Sequence, residues 1–296
     1  MPTPSLPDEL AQEAINLVAE FGGVTKAAAS KKCTVSYDAL RRRYEIALQR
    51  SLTPKYERPI PQAETGQAVL VIPDTHAPFA HPDALAFLDE ANNRLKPTRV
   101  VHLGDETDQH ALSQYQPDPD GYSAGHELEC ALEWMRDLYK IFPKARVCIS
   151  NHPMRVFKRA FRSGIPAKYL KGYKEFMEAP PDWYWGDRWE IDGVVYMHGE
   201  GASGKLAAEK WAMVNMKPTV IGHIHSHASV GYFKNDSNRQ IWWMNCGWLG
   251  DVETYAMQYA KHSTHKAILG VGFVDNGFPH YFPMRINDKG RWTGKW

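Results

Sequence analysis

The chain has 296 residues, with 35 Lys and Arg against 34 Asp and Glu, so its formal charge of +1 gives no global field toward nucleic acid or a membrane surface. Any such partner has to be read from local patches. With 43% hydrophobic residues it has the composition of a globular protein, long enough for one large domain or a large and a small one, and no run of it approaches the length of a bilayer span.

No amino-terminal apolar segment resembles a signal peptide, which predicts a cytoplasmic protein without a membrane partner. Cys33, Cys130, Cys148 and Cys246 lie far apart with no Cys-x-x-Cys pair, so reduced thiols are expected rather than a zinc knuckle or a redox motif.

Met1 to Pro7 is a Pro-rich lead. Asp8 to Phe21 follows a helical period, with Leu10, Ala14, Leu17, Val18 and Phe21 on one face and Gly22-Gly23 as the stop. Val24 to Lys31 predicts a second, Ala-rich helix. Cys33 to Ser36 predicts a turn ending in a Ser N-cap, and Tyr37 to Leu48 a third helix.

This all-α module, residues 1–51, resembles a helix-turn-helix. Between Lys26 and Arg50 seven Lys or Arg residues face only Asp38 and Glu45. Arg41, Arg42 and Arg43 on the third helix are placed to neutralise DNA phosphates, while Ser36 and Tyr37, with Asp38, are placed to reach base edges. The alternative is a helical bundle for targeting or oligomerisation with solvated arginines. The oligomeric state is left open, a homodimer among the options.

Residues 52–67, with Pro54, Pro59 and Pro61, read as a semi-rigid linker. Beyond it, apolar runs end repeatedly in side chains able to hold a metal. Val69 to Ile72 delivers Asp74 and His76. Thr98 to Leu103 leads to Asp105 and Asp108, Ala145 to Ile149 to Asn151 and His152, Val194 to Met197 to His198, and Thr219 to Ile221 to His223 and His225. In an open α/β sheet the crevice beyond the strand ends is where ligands bind.

Between these runs, Pro82 to Leu95 and His126 to Phe142 have helical spacing, and Pro117 to Gly121 is a turn-rich loop. In the helix predicted over Met154 to Gly164, Arg155, Lys158, Arg159 and Arg162 fall on one face, a cationic stripe beginning beside His152. Trp183, Tyr184, Trp185 and Trp189 predict a satellite core under a loop, with base stacking as the alternative. Apolar runs around Val230, Ile241 to Cys246 and Ile268 to Phe273 are expected in a second sheet packed on the first. Residues 287–296 form a tail without pattern.

Asp-x-His, Gly-Asp-x-x-Asp, Asn-His, His-Gly and Gly-His-x-His occur here in the order of the calcineurin-like metallophosphoesterases, which the chain resembles from about Val69 to Ile286. With the helical module, it also resembles proteins carried by bacteriophages and prophages. The resemblance implies an α/β fold over residues 68–286, two packed β-sheets flanked by helices. It further implies two divalent ions, one held by Asp74, His76, Asp105 and His225, the other by Asp105, Asn151, His198 and His223, with Asp105 as the bridge.

Carboxylate, amide and imidazole ligands without thiolate favour Mn²⁺ first, with Fe²⁺, Zn²⁺, Ni²⁺ or Mg²⁺ as alternatives. In the family a hydroxide shared by the two ions attacks phosphorus. The resemblance makes His152 the group that protonates the leaving oxygen and Asp108 its orienting acid. The chain departs from the family at Ser150, often Gly there, and at Pro153, where an acid is common.

Gly199 to Lys205 has the glycine and lysine spacing of a P-loop, but Leu206 stands where that motif needs a Ser or Thr. Its amides and Lys205 are read instead as a nest for a substrate phosphate. Arg155, Lys158, Arg159 and Arg162 are the other phosphate-binding candidates. The expected activity is a metal-dependent hydrolysis of phosphate esters, DNA phosphodiesters first and phosphomonoesters as the alternative.

Overall fold

The structure, a computed structural model, describes residues 7–52, 66–114, 118–260 and 264–296. Most of the proline-rich lead, the linker prolines Pro54, Pro59 and Pro61, Pro117 and His262 lie outside these residues. The chain divides into two units, Met1–Tyr56 with Ala160–Leu170, and Glu57–Arg159 with Lys171–Trp296.

In the first unit, helix α1 (Asp8–Phe21) stops where Gly22 takes φ 69°, a left-handed conformation that costs glycine little, and its amide bonds back to Val18 O. Helix α2 is Val24–Ala28, shorter than the run to Lys31 suggests, because Ser30 turns the chain by bonding Ala27 O through both its amide and its hydroxyl. Helix α3 (Tyr37–Leu52) begins after Ser36, whose Oγ accepts from Ala39 N at 3.3 Å. Ala14, Val18, Ala27 and Leu40 form the buried centre of the three helices.

The second unit is organised around β1 (Ala68–Ile72). Four of its five residues are buried, as expected of a central strand covered on both faces. It is followed by α4 (Ala84–Leu95), β2 (Arg99–His102), α5 (Ala124–Ile141), β3 (Lys144–Cys148), α6 (Arg155–Arg162, whose residues from Ala160 on fall in the first unit), α7 (Tyr173–Phe176), β4 (Asp182–Gly186), β5 (Arg188–Ile191), β6 (Val194–Met197), α8 (Ala207–Asn215) and β7 (Thr219–Ile221). Strands β8 (Ala228–Lys234), β9 (Gln240–Cys246), β10 (Gly270–Asp275) and β11 (Phe278–Pro283) complete it.

Two mixed sheets result, six strands in the order β11-β10-β1-β2-β3-β4 and five in the order β5-β6-β7-β9-β8. Val69, Val71, Val101 and Leu103 of the first meet Val194, Tyr196, Val220 and Met244 of the second in one buried cluster. The fold is therefore the α/β sandwich of two sheets with helices. No helix among the described residues is long and apolar enough to cross a membrane.

Three stretches differ from expectation. The run Ile268 to Phe273 joins the first sheet rather than the second: β10 pairs antiparallel with β1, Leu70 opposite Phe273, and covers one edge of that strand. The tryptophan-rich run is not a core under a loop. It forms β4 and β5, one on the border of each sheet, where the period of two buries Trp183 and Trp185 and leaves Tyr184 45% exposed between them. Residues 287–296 return to α4, with the Arg291 guanidinium and Trp292 N both on the Asp83 carboxylate and Trp296 stacked on Phe87 at 5.1 Å.

Candidate metal centre

Parallel strands point their carboxyl ends the same way, and here the ends of both sheets converge. Asp74 and His76 follow β1, Asp105 follows β2, Asn151 and His152 follow β3, His198 follows β6, and His223 and His225 follow β7. Asp74, His76, Asp105 and His225 bring four potential ligand atoms within 4.8 Å of one another, and Asp105, His198 and His223 bring three. Asp105 belongs to both groups. Asn151 joins the second through its Oδ1, 2.8 Å from His198 Nε2.

The local backbone is strained. His76, Asp105 and His223 have φ of 51°, 48° and 64°, a region that costs a non-glycine residue roughly 1–3 kcal/mol. Side chains and carbonyls hold each of them: His76 N donates to Asp105 O at 2.8 Å, Asp105 N to Ser150 Oγ at 2.6 Å, and His223 N to Asp74 Oδ2 at 2.8 Å. Ser150 thus fixes the backbone of the central residue, Asp105. Gly222 is required because a Cβ there would collide with Asp74 Oδ1.

The hydrogen-bond roles fit a cation. His198 Nδ1 lies 3.0 Å from Leu103 O and must donate to it, which points a lone pair on Nε2 at Asn151 Oδ1, His223 Nδ1 and Asp105 Oδ2, at 2.8, 3.1 and 3.3 Å. His76 Nδ1 likewise donates to Asp108 at 2.8 Å and turns its Nε2 toward His225 Nε2 at 3.1 Å. Asp74 Oδ1 is buried without a hydrogen bond.

Burial opposes charge on His198, yet Asp105 and Asp74 outweigh it and raise its pKa to about 10. The two carboxylates thus favour positive charge at that point. These residues form a buried Asp/His cluster able to hold metal.

No family model matches the sequence, and no curated protein matches it. Among solved structures, the chain is similar to Vacuolar Protein Sorting 29 from Cryptosporidium parvum, at 15% identity over 74% of this chain and 97% of that one, with a TM-score of 0.34. A further crystal structure is similar at 12% identity over 74% of this chain and 99% of that one, with a TM-score of 0.37. Likeness at this level carries no functional argument.

His152 sits beside the cluster, its Nε2 3.8 Å from Asp105 Oδ2. Its Nδ1 donates to the main-chain carbonyl of Asp108 at 3.0 Å, while the Asp108 carboxylate lies farther, at 3.4 Å, and makes its short bond to His76. Orientation of His152 by Asp108 therefore runs chiefly through the backbone, which no residue-type pattern can reveal. The three side chains His76, Asp108 and His152 also meet metal-ligand spacing, but Arg155 already neutralises that group.

Arg155 is not a free phosphate hook. Its Nη1 bonds Asp108 O and Oδ1 at 3.0 Å each, and its Nη2 lies 3.2 Å from His152 Nε2. A guanidinium only donates, so in this contact His152 Nε2 is the acceptor. Burial, and to a smaller extent Arg155, disfavour the imidazolium, but Asp105 and Asp108 outweigh them and raise its pKa.

The other predicted contacts are spread out. Lys158 is half-buried and Arg159 and Arg162 are exposed on α6. Lys205 is exposed in the loop before α8, where Gly204 but not Lys205 lines the cleft. In the helical unit the Ser36 hydroxyl is used as a cap, Tyr37 is 44% exposed, Arg41 pairs with Glu45 at 2.9 Å, Arg42 is exposed and Arg43 half-buried.

Sequence reasoning missed three residues. Trp248, following β9, stacks on the His225 ring at 4.8 Å. Glu127, buried on α5, accepts His110 N and Ala111 N at 2.6 and 2.9 Å and so fixes the turn after Asp108. Glu106 is buried with one oxygen on Trp185 Nε1 at 2.9 Å, and burial raises its pKa to about 7. Only Glu106 had a signal, an acid inside the Gly-Asp-x-x-Asp motif; the others are set by contacts remote in sequence.

Proposed function

We propose that the protein is a dinuclear-metal phosphoesterase of the calcineurin-like type, acting first on DNA phosphodiesters. The observation that carries the reading is the position of Asp105, whose single carboxylate belongs to both ligand groups. A carboxylate suits that post because its two oxygens can serve two ions.

Asp74, His76 and His225 with Asp105 would hold one ion, and Asn151, His198 and His223 with Asp105 the other, Mn²⁺ first by ligand type. Bound divalent ions supply Lewis-acid activation of water and of the phosphoryl oxygens. The chain's own residues do the rest. His152 delivers a proton to the leaving oxygen from Nε2, the nitrogen that Arg155 covers in the free protein. Displacement of Arg155 by the entering phosphate both frees that nitrogen and gives the phosphate a guanidinium partner.

The diester preference is supported by the cationic residues Lys158, Arg159 and Arg162 that follow His152, and by the basic third helix of the helical module. That module would act as the DNA anchor in a cytoplasmic protein.

The reading is tested by hydrolysis with metal-stripped protein refilled with Mn²⁺, given bis-p-nitrophenyl phosphate and p-nitrophenyl phosphate side by side, then supercoiled and linear DNA. Faster diester turnover with DNA cleavage is expected. Monoester preference with intact DNA would replace it with a phosphomonoesterase, and no turnover of either ester would overturn it.

A further inference from the structure

Beside the metal cluster lies a cavity of about 540 Å³. Sites of roughly 300–1,000 Å³ enclose whole drug-sized ligands, so the space is far larger than one phosphate needs. Asp105, His152, His223 and His225 form part of its lining, and the segment from Trp248 to Gln258 supplies much of the remainder.

That segment is preformed. Asp251 N bonds Phe79 O at 2.8 Å, Glu253 N bonds Asp251 Oδ1 at 2.9 Å, and Met257 N bonds Thr254 O at 3.0 Å. Trp248 and Met257 are 2% and 3% exposed and pack with Phe79 and Ala256 in one apolar cluster. Val252 is 51% exposed on the lining, and Glu253, Thr254 and Gln258 add polar groups.

We propose that this cavity is a nucleoside subsite, taking the sugar and base attached to the phosphate held at the metal cluster. The inference rests on the phosphoesterase reading and names its substrate. A base has flat apolar faces and a hydrogen-bonding edge, which match a lining of Trp248, Met257 and Val252 interrupted by Thr254, Gln258 and Glu253. His265 and Lys266 also line the cavity, so only the part beside the Glu253 carboxylate disfavours a second phosphate and suits the nucleoside. A base seated here turns its pairing edge to Thr254, Gln258 and Glu253, so it enters unpaired. The substrate class is thus an unpaired or terminal nucleotide.

The test uses the full chain loaded with Mn²⁺ and two esters with the same leaving group, thymidine 5′-(p-nitrophenyl phosphate) and bis-p-nitrophenyl phosphate. The ratio of their kcat/KM values is expected to favour the nucleotide by about 10-fold or more, the order a fitted pocket gives. Val252→Trp, which fills the cavity from an exposed position, should bring the ratio toward one, whereas Met213→Ser on the exposed surface of α8 should leave it unchanged.

Calorimetric binding of thymidine 5′-monophosphate against inorganic phosphate reads the same preference without turnover. A nucleotide advantage that Val252→Trp removes supports the subsite. A ratio near one in the wild type, or one untouched by Val252→Trp, overturns it. Absence of hydrolysis of both esters would instead defeat the phosphoesterase reading, and the binding comparison would still decide the subsite.

Discussion

His76 and His225 turn their Nε2 atoms toward each other at 3.1 Å while the other nitrogen of His76 donates to Asp108. A cation there takes the His76 lone pair together with His225 Nε2, which also lies 3.0 Å from Asp74 Oδ2. Adding Mn²⁺ to metal-stripped protein should therefore raise the unfolding temperature, with about 2.7 kcal/mol of stabilisation at a hundred times the dissociation constant. Differential scanning calorimetry of the wild type and Asp105→Ala checks this. A variant that responds to Mn²⁺ as the wild type does would remove Asp105 from the site.

His152 is placed to serve the leaving oxygen and is not needed to hold metal. His152→Ala should keep its full metal content and lose about 10²–10⁴ in kcat. The loss should be largest for alkyl esters, whose leaving oxygen needs the proton, and smallest for p-nitrophenyl esters. Metal analysis with a leaving-group series separates this from loss of a ligand.

Ser150 holds Asp105 N at 2.6 Å. Removing that hydroxyl in Ser150→Gly should weaken metal binding about 10–100-fold, the usual effect of losing a residue that orients a ligand. Titration calorimetry measures it, and an unchanged affinity would leave Ser150 with a packing role only.

The carboxylate of Asp83 is held down to about 2, first by its hydrogen bond with Arg291, then against burial and with help from Trp292 N. An unfolded Asp titrates near 3.9, so the folded state binds fewer protons below that pH. The stabilisation is fully present above about pH 4 and is lost as pH falls through about 2. Asp83→Asn should flatten the acid limb of stability between those values, read from denaturant midpoints at a series of pH values.

Arg41 and Arg42 are exposed on α3. If the helical module anchors DNA, Arg41→Ala with Arg42→Ala should weaken binding and lower the slope of log K against log salt by about 2. Fluorescence anisotropy at several salt concentrations tests this, and an unaltered slope would take the module out of DNA binding.

What could be read from the sequence follows from how local each signal is. Val69 to Ile72 announces a buried strand by composition, and the residues just past each strand end inherit their position from it, so the cluster was legible as a series of endings. Which sheet a strand joins is not local: Ile268 to Phe273 is apolar wherever it goes, and only the free edge of β1 decides that it pairs there. Trp248, Glu127 and the main-chain link from Asp108 to His152 depend on packing between residues that are not neighbours in sequence, with no periodicity to betray them. The final ten residues looked patternless because their order comes from Asp83 and Phe87, two hundred positions earlier.

Pairing of β1 with β10 also ties assembly to the order of synthesis. The first strand of the second unit emerges early, but its antiparallel neighbour begins at Gly270, and α4 waits for Arg291 and Trp296. At roughly 5–20 residues per second, translation keeps β1 without that neighbour for about ten seconds or longer. During that interval an apolar strand edge is open to other chains, so nascent copies of this protein are exposed to mispairing until β10 has been made.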